Sequence, residues 1–162
     1  MKIGLLFGIV VILDQTTKIV VRHTMMLGQS IPILGHFFKI TYIENPGIAF
    51  GIKVSNGSFF TILSVLASLG VLVYLFAHRD EGMAIKGSLA LILGGAFGNL
   101  VDRIFYKKVV DFIDVGVGNL RWPVFNLADS AVVIGVFLLF LSVFILDKKN
   151  EKLHHERARE IV

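Results

Sequence analysis

Leu127–Leu146 reads LADSAVVIGVFLLFLSVFIL, 20 residues with a single charge, Asp129, in the first turn. A helix rises 1.5 Å per residue, so a run of this length spans about 30 Å, the thickness of a bilayer's hydrocarbon core. Three more segments share the pattern: Ile3–Val21, Phe59–Ala77 and Ile85–Val101, of 19, 19 and 17 residues. Phe59–Ala77 is uncharged, Ile3–Val21 contains Asp14 and Lys18, and the third segment is bounded by Lys86 and Asp102. The expected architecture is an all-α membrane protein with four transmembrane helices.

Composition agrees. Of 162 residues, 55% are hydrophobic and 17% charged, against about 25% charged in soluble domains; mean hydropathy is +0.78. This is too apolar for a disordered chain, and a net charge of +4 beside such a composition argues against nucleic acid as a partner. There is no cysteine, which excludes a thiol nucleophile, thiolate zinc sites, disulfides and a lipid carried on cysteine. Lys2 before Ile3–Leu13 resembles the start of a secretory signal, but no small-residue cleavage site follows and Asp14 and Lys18 interrupt the run. The first segment is read as a retained helix.

The expected organisation is one integral-membrane domain over residues 1–146, with long loops at 22–58 and 102–126, and a charged tail at 147–162. Four crossings put both termini and the short loop Arg79–Ala84 on one side and the long loops on the other. Lys and Arg divide evenly between the sides, but Lys148, Lys149, Lys152, Arg157 and Arg159 crowd behind the last segment. That density favours cytoplasmic termini and extracytoplasmic loops. Phe37–Ile43, β-branched or aromatic except at Lys39, is bracketed by Gly35 and the Asn45-Pro46-Gly47 turn and reads as a strand. Val109–Val115 reads likewise, so the two loops should form a small β-sheet, or cradle, on the membrane surface. The tail reads as a solvated, helix-forming extension. Asn56-Gly57-Ser58 matches a glycosylation sequon of little specificity.

Ionisable residues in membrane segments are candidates for function. Asp14 and Lys18, then Asn99, Asp102 and Arg103, then Asn126 and Asp129 all fall at helix ends on the long-loop side, and Asn45 and Asp111 lie in those loops. They converge on one membrane face. No serine–histidine arrangement or metal-ligand spacing accompanies them. What remains is a pair of carboxylates, which when close share one proton, so that one activates water while the other donates. Structural readings stand beside this. Asn126 and Asp129 have the spacing of an N-cap and a first-turn acid. Asp102-Arg103 reads as an ion pair, and Asp14 and Lys18 as an i,i+4 pair. Gly94-Gly95-Ala96-Phe97-Gly98 has small-xxx-small spacing, a helix-packing surface. Asp111 is different, because it interrupts an apolar strand-like run. A small transporter or ion pathway would also carry acids and an arginine, but it needs polar residues through the full depth of the bilayer. A non-enzymatic scaffold gives no reason for acids to converge.

Five blocks occur in order: Leu13-Asp14-Gln15-Thr16-Thr17-Lys18, Asn45-Pro46-Gly47-Ile48-Ala49-Phe50, Gly94 through Arg103, Val109-Val110-Asp111-Phe112 and Phe125-Asn126-Leu127-Ala128-Asp129-Ser130. Together they resemble the lipoprotein signal peptidases (signal peptidase II), membrane aspartyl proteases, over roughly Ile3 to Leu146. The resemblance implies Asp111 and Asp129 as the catalytic pair. It implies Asp14, Lys18, Asn45, Gly47, Asn99, Asp102, Arg103 and Asn126 as supporting or substrate-binding residues. The implied substrate is a prolipoprotein whose cysteine carries a diacylglyceryl group, cut just before that cysteine at the outer face of a bacterial inner membrane. Membrane lipids are the other expected partners, the chain is expected to be a monomer, and neither metal nor cofactor is implied. Pro46 and Ile48 depart from the commoner residues of the second block. Asp114 is the local rival of Asp111. Three residues apart on a strand they face opposite ways, and Asp114 is expected to be structural or solvent-facing.

Overall fold

The computed structural model describes residues 2–49, 52–53, 58–77 and 81–160. The chain runs α1 (Lys2–Thr24), β1 (Ser30–Leu34), β2 (Phe38–Asn45), β3 (Ile48–Ala49), β4 (Ile52–Lys53), α2 (Ser58–Ala77), α3 (Met83–Tyr106), β5 (Val109–Val117), β6 (Leu120–Arg121) and α4 (Leu127–Glu160). Among the described residues three helical stretches are long and apolar enough to cross a membrane: Ile3–Thr24, Met83–Tyr106 and Leu127–Ile145. α2, the fourth expected crossing, is a 20-residue helix but is not one of these three.

Three helix ends differ from the sequence reading. α3 extends to Tyr106, where Lys107 adopts a left-handed conformation (φ 61°) that stops it. Asp102 and Arg103 therefore lie on the helix, not in the loop expected at 102–126. α1 likewise runs on through Arg22 and His23, basic residues in its last turn, of which Arg22 brings a positive charge to the negative end of the helix. α4 continues without a break into the charged tail, so residues 147–160 prolong the last helix. The short loop reaches outside the described residues at 78–80, as do Phe50 of the second block and Asn56 and Gly57 of the sequon.

The sheet expected from the two long loops is present: four antiparallel strands in the order β1-β2-β5-β6. β2 and β5 are the two strands the sequence announces, and their register sets Asp111 opposite Ile43 and Val109 opposite Asn45. β1 was not anticipated. Its residues are all exposed, and an edge strand with Pro32 lacks the alternation that marks a half-buried strand. Val21, Tyr42, Val110 and Phe112 form a buried cluster between the end of α1 and the sheet.

α3 is the central helix, with its glycines against both neighbours. A Cβ on Gly95 would lie 2.2 Å from the Ala128 carbonyl oxygen of α4, and one on Gly98 2.5 Å from the Asp14 carboxylate of α1. The small-residue spacing is thus a packing surface, and what it brings close are the polar ends of α1 and α4. Phe125 then joins the chain entering α4 to β5, its carbonyl accepting from the Phe112 and Ile113 amides at 2.9 and 2.7 Å.

Candidate active site

Where these elements meet, the side chains of Asp14, Gln15, Lys18, Asn45, Asn99, Asp102, Asp111, Asn126 and Asp129 form one hydrogen-bonded network. Asp14, Lys18, Asp102 and Asn126 are at most 1% exposed, and Asp111 is 4% exposed. Their bonds cross from α1 to α3, β5 and α4.

Asp111 accepts from Asn126 Nδ2 on Oδ1 (2.7 Å) and from Asn45 Nδ2 on Oδ2 (3.1 Å). Asp129 accepts from Asn99 Nδ2 on Oδ1 (2.7 Å) and from the Asn126 backbone amide on Oδ2 (3.2 Å). Asn126 therefore serves both carboxylates. It is also the N-cap of α4, its Oδ1 accepting the Asp129 amide at 2.9 Å. The exchange between Asn126 and Asp129 is a reciprocal capping box, so the capping and the functional readings describe the same two residues.

A carboxamide can present either its oxygen or its nitrogen. Here each one that donates to an aspartate has its oxygen engaged by a group that can only donate. Asn45 Oδ1 accepts the Gly47 amide (2.9 Å), Asn99 Oδ1 accepts Lys18 Nζ (2.8 Å), and Asn126 Oδ1 accepts the Asp129 amide. Gly47 makes its bond at φ 108°, a conformation readily open only to glycine. Its place in the second block thus has a backbone reason.

Lys18 lies under this layer. Its ammonium contacts Asp14 Oδ2 at 2.8 Å and Asp102 Oδ2 at 3.1 Å besides Asn99. Asp102 also accepts the Val110 amide (3.2 Å) and Asp14 the Ala128 amide (2.9 Å). The i,i+4 pair of Asp14 and Lys18 is present, and Asp102 pairs with Lys18 as well. Arg103 is partly buried and within electrostatic reach of Asp129, Asp111 and Asp102. Gln15 went unremarked as a site residue, although it lies inside the first block. Its Nε2 ties Asp14 (3.1 Å) to the Gly98 carbonyl (3.0 Å). The Val110 and Ala128 amides have no sequence signal, because any residue supplies one.

Burial, and after it the negative charge of Asp129, pushes the Asp111 carboxyl from 3.8 up to about 7. The rival Asp114 lies apart. It is 7% exposed and accepts from Arg121 Nε and Thr41 Oγ1, both at 2.7 Å. It is structural, as expected, and buried rather than solvent-facing. Glu44 is likewise occupied elsewhere, with Lys108 at 3.0 Å. Beside Asp129 an apolar cavity of about 360 Å³ is lined by Trp122, Phe125, Val133 and Ile134.

A buried carboxylate on β5 and a half-buried one on α4, linked through Asn126 at one end of apolar helices, are groups suited to acid–base chemistry at a membrane. Residues 6–145 match the family model described as Signal peptidase (SPase) II. The lipoprotein signal peptidase of Syntrophus aciditrophicus (strain SB) is 45% identical over 150 residues, covering 90% of this chain and 92% of that protein. That of Bacillus pumilus (strain SAFR-032) is 40% identical over 144 residues, covering 89% and 93%. A bacterial membrane enzyme solved by the in meso method at 2.3 Å superposes with a TM-score of 0.81 at 35% identity, covering 92% of this chain and 90% of that one. The chain belongs to the signal peptidase II family. It is a membrane peptidase, which sets aside the transporter and scaffold alternatives.

Proposed function

We propose that this peptidase removes the signal peptide from diacylglyceryl-modified prolipoproteins, with Asp111 and Asp129 as its catalytic pair. The observation that carries the reading is the linkage of two carboxylates, from β5 and α4, through the single residue Asn126, its side-chain amide donating to Asp111 and its backbone amide to Asp129. The names of the relatives support the substrate class.

The pair shares one proton near neutral pH. Asp111, with its carboxyl pushed up to about 7, holds it. Asp129, in the first helical turn where negative charge is favoured, takes a proton from water. The resulting hydroxide oxygen attacks the carbonyl carbon before the lipidated cysteine, and Asp111 donates to the carbonyl oxygen. As the tetrahedral intermediate collapses, Asp129 returns its proton to the cysteine nitrogen, the C–N bond breaks, and Asp111 recovers its own. Arg103 supplies positive charge where oxyanion character develops. Asn45 and Gly47 shape the loop over the scissile bond, while Asp14, Lys18, Asn99, Asp102 and Asn126 hold the frame. The chemistry requires no metal or cofactor.

α2, uncharged over 20 residues, supplies the fourth crossing. Both termini then lie in the cytoplasm of a bacterial cell, and the sheet and site at the outer face of its inner membrane. The substrate's acyl chains stay among the membrane lipids while its peptide bond meets the pair at the surface.

The test is purified protein in lipid discs with one prolipoprotein prepared with and without its diacylglyceryl group. Mass spectrometry should find a product beginning at the lipidated cysteine, and no cleavage of the unmodified form. Equal cleavage of both forms, or a cut elsewhere, would overturn the substrate assignment.

A further inference from the structure

Lys18 is the most deeply placed cation of the network, and it touches neither Asp111 nor Asp129 in any bond described above. Its three contacts nonetheless lead to both. Through Asn99 it reaches Asp129: the ammonium, which can only donate, occupies Asn99 Oδ1 at 2.8 Å and leaves Nδ2 directed at Asp129 at 2.7 Å. Through Asp102 it reaches the amide of Val110, the residue before Asp111. Through Asp14 it reaches the amide of Ala128, the residue before Asp129.

The other two carboxamides that donate to the aspartates are fixed by backbone amides, from Gly47 and Asp129. Asn99 is fixed by side chains: Lys18 Nζ at 2.8 Å and, at the longer distance of 3.1 Å, Asn126 Nδ2, which is shared with Asp111 and the Val110 carbonyl. Were its amide free to turn, its carbonyl oxygen would face Asp129. A carboxylate cannot bond to a carbonyl oxygen, so that orientation is satisfied only when Asp129 is protonated. The pair would then hold two protons and contain no base.

We propose that Lys18 is a positioning residue for catalysis. It fixes the Asn99 carboxamide so that Asp129 remains an acceptor. The proposal rests on the reading of Asp111 and Asp129 as the catalytic pair.

The test is a double-mutant cycle of Lys18→Met and Asn99→Leu, with Lys18→Arg alongside, in the lipidated-prolipoprotein assay. Lys18→Met should lower kcat roughly 10- to 100-fold, the loss that follows removal of a hydrogen bond to a charged group, with KM within about threefold. The acidic limb of its kcat–pH profile should move to higher pH. Lys18→Arg should recover part of the rate. Because Lys18 acts through Asn99, the double variant should be little worse than Asn99→Leu alone. Multiplicative losses, an unchanged kcat, or a loss explained by the unfolded fraction with an unmoved pH profile would overturn the proposal. If Lys18→Met does not fold, the cycle is run with Lys18→Arg and read by the same criteria, since Asn99→Leu leaves Lys18 paired to both acids. Wild-type protein and Asp111→Asn are measured in parallel. An inactive wild type or an active Asp111→Asn would sink the catalytic-pair reading itself, whereas failure of the cycle with those two behaving as expected sinks only the role of Lys18.

Discussion

Asp111 is a carboxyl group held against its ordinary preference. Folding takes it from 3.8 to about 7, so between those values the folded chain binds a proton that the unfolded chain has released. Stability therefore falls as pH rises through this window. At 1.36 kcal/mol per pH unit the effect is about 4 kcal/mol. Asp111→Asn removes it, so relative to wild type the variant should gain up to about 4 kcal/mol between pH 4 and pH 8. Denaturant unfolding in detergent reads this directly, and a pH-independent difference would mean that the carboxyl does not hold its proton. Activity has the same origin. kcat/KM should fall about tenfold per pH unit well above pH 7, as Asp111 loses the proton it must donate. At this scale the sequence was informative, because an acid inside an apolar strand and another opening an apolar helix are visible as exceptions. The orientation of Asn99 was not visible. It depends on an ammonium 81 positions away, and no local pattern records that contact.

At the scale of elements, the glycines of α3 set how closely the ends of α1 and α4 approach it. Gly95→Ala would drive a methyl group into the Ala128 carbonyl, 2.2 Å from the ideal Cβ, with Val132 Cγ2 at 2.8 Å. The start of α4, which carries Asp129, would have to move. The expected cost is about 1–3 kcal/mol of stability together with most of the activity. Gly87 on the same helix has nothing within 4 Å of its ideal Cβ, and Gly87→Ala should gain about 0.5–1 kcal/mol from helix propensity. Thermal unfolding of the two variants checks the opposite signs. Helices and the two inner strands were legible because hydrophobic periodicity is a local signal. The end of α3 was not, since it turns on the left-handed conformation of Lys107, a residue type that does not announce it. β1 escaped for another reason: an exposed edge strand need not alternate.

At the scale of the molecule, the polar network lies at the sheet end of three helices whose outer faces are apolar. Val133, Phe137 and Phe140 of α4 are each at least 65% exposed, a surface suited to lipid rather than water. Convergence on one face could be worked out from helix ends and loop lengths before any coordinates, because alternate crossings fix which ends share a side. Orientation follows more weakly, from the cations behind the last span. A reporter fused after Lys149 should report a cytoplasmic location, and an external signal would reverse the proposed topology and put the site on the inner face.

The central claim, that Asp111 and Asp129 together perform the cleavage, is tested most directly by giving purified Asp111→Asn and Asp129→Asn proteins a lipidated prolipoprotein and measuring signal-peptide release. Each variant, folded and inserted as the wild type is, should lose cleavage by at least about a thousandfold, since neither an isolated base nor an isolated acid completes the proton transfers. Release at the wild-type rate by either variant would contradict the account.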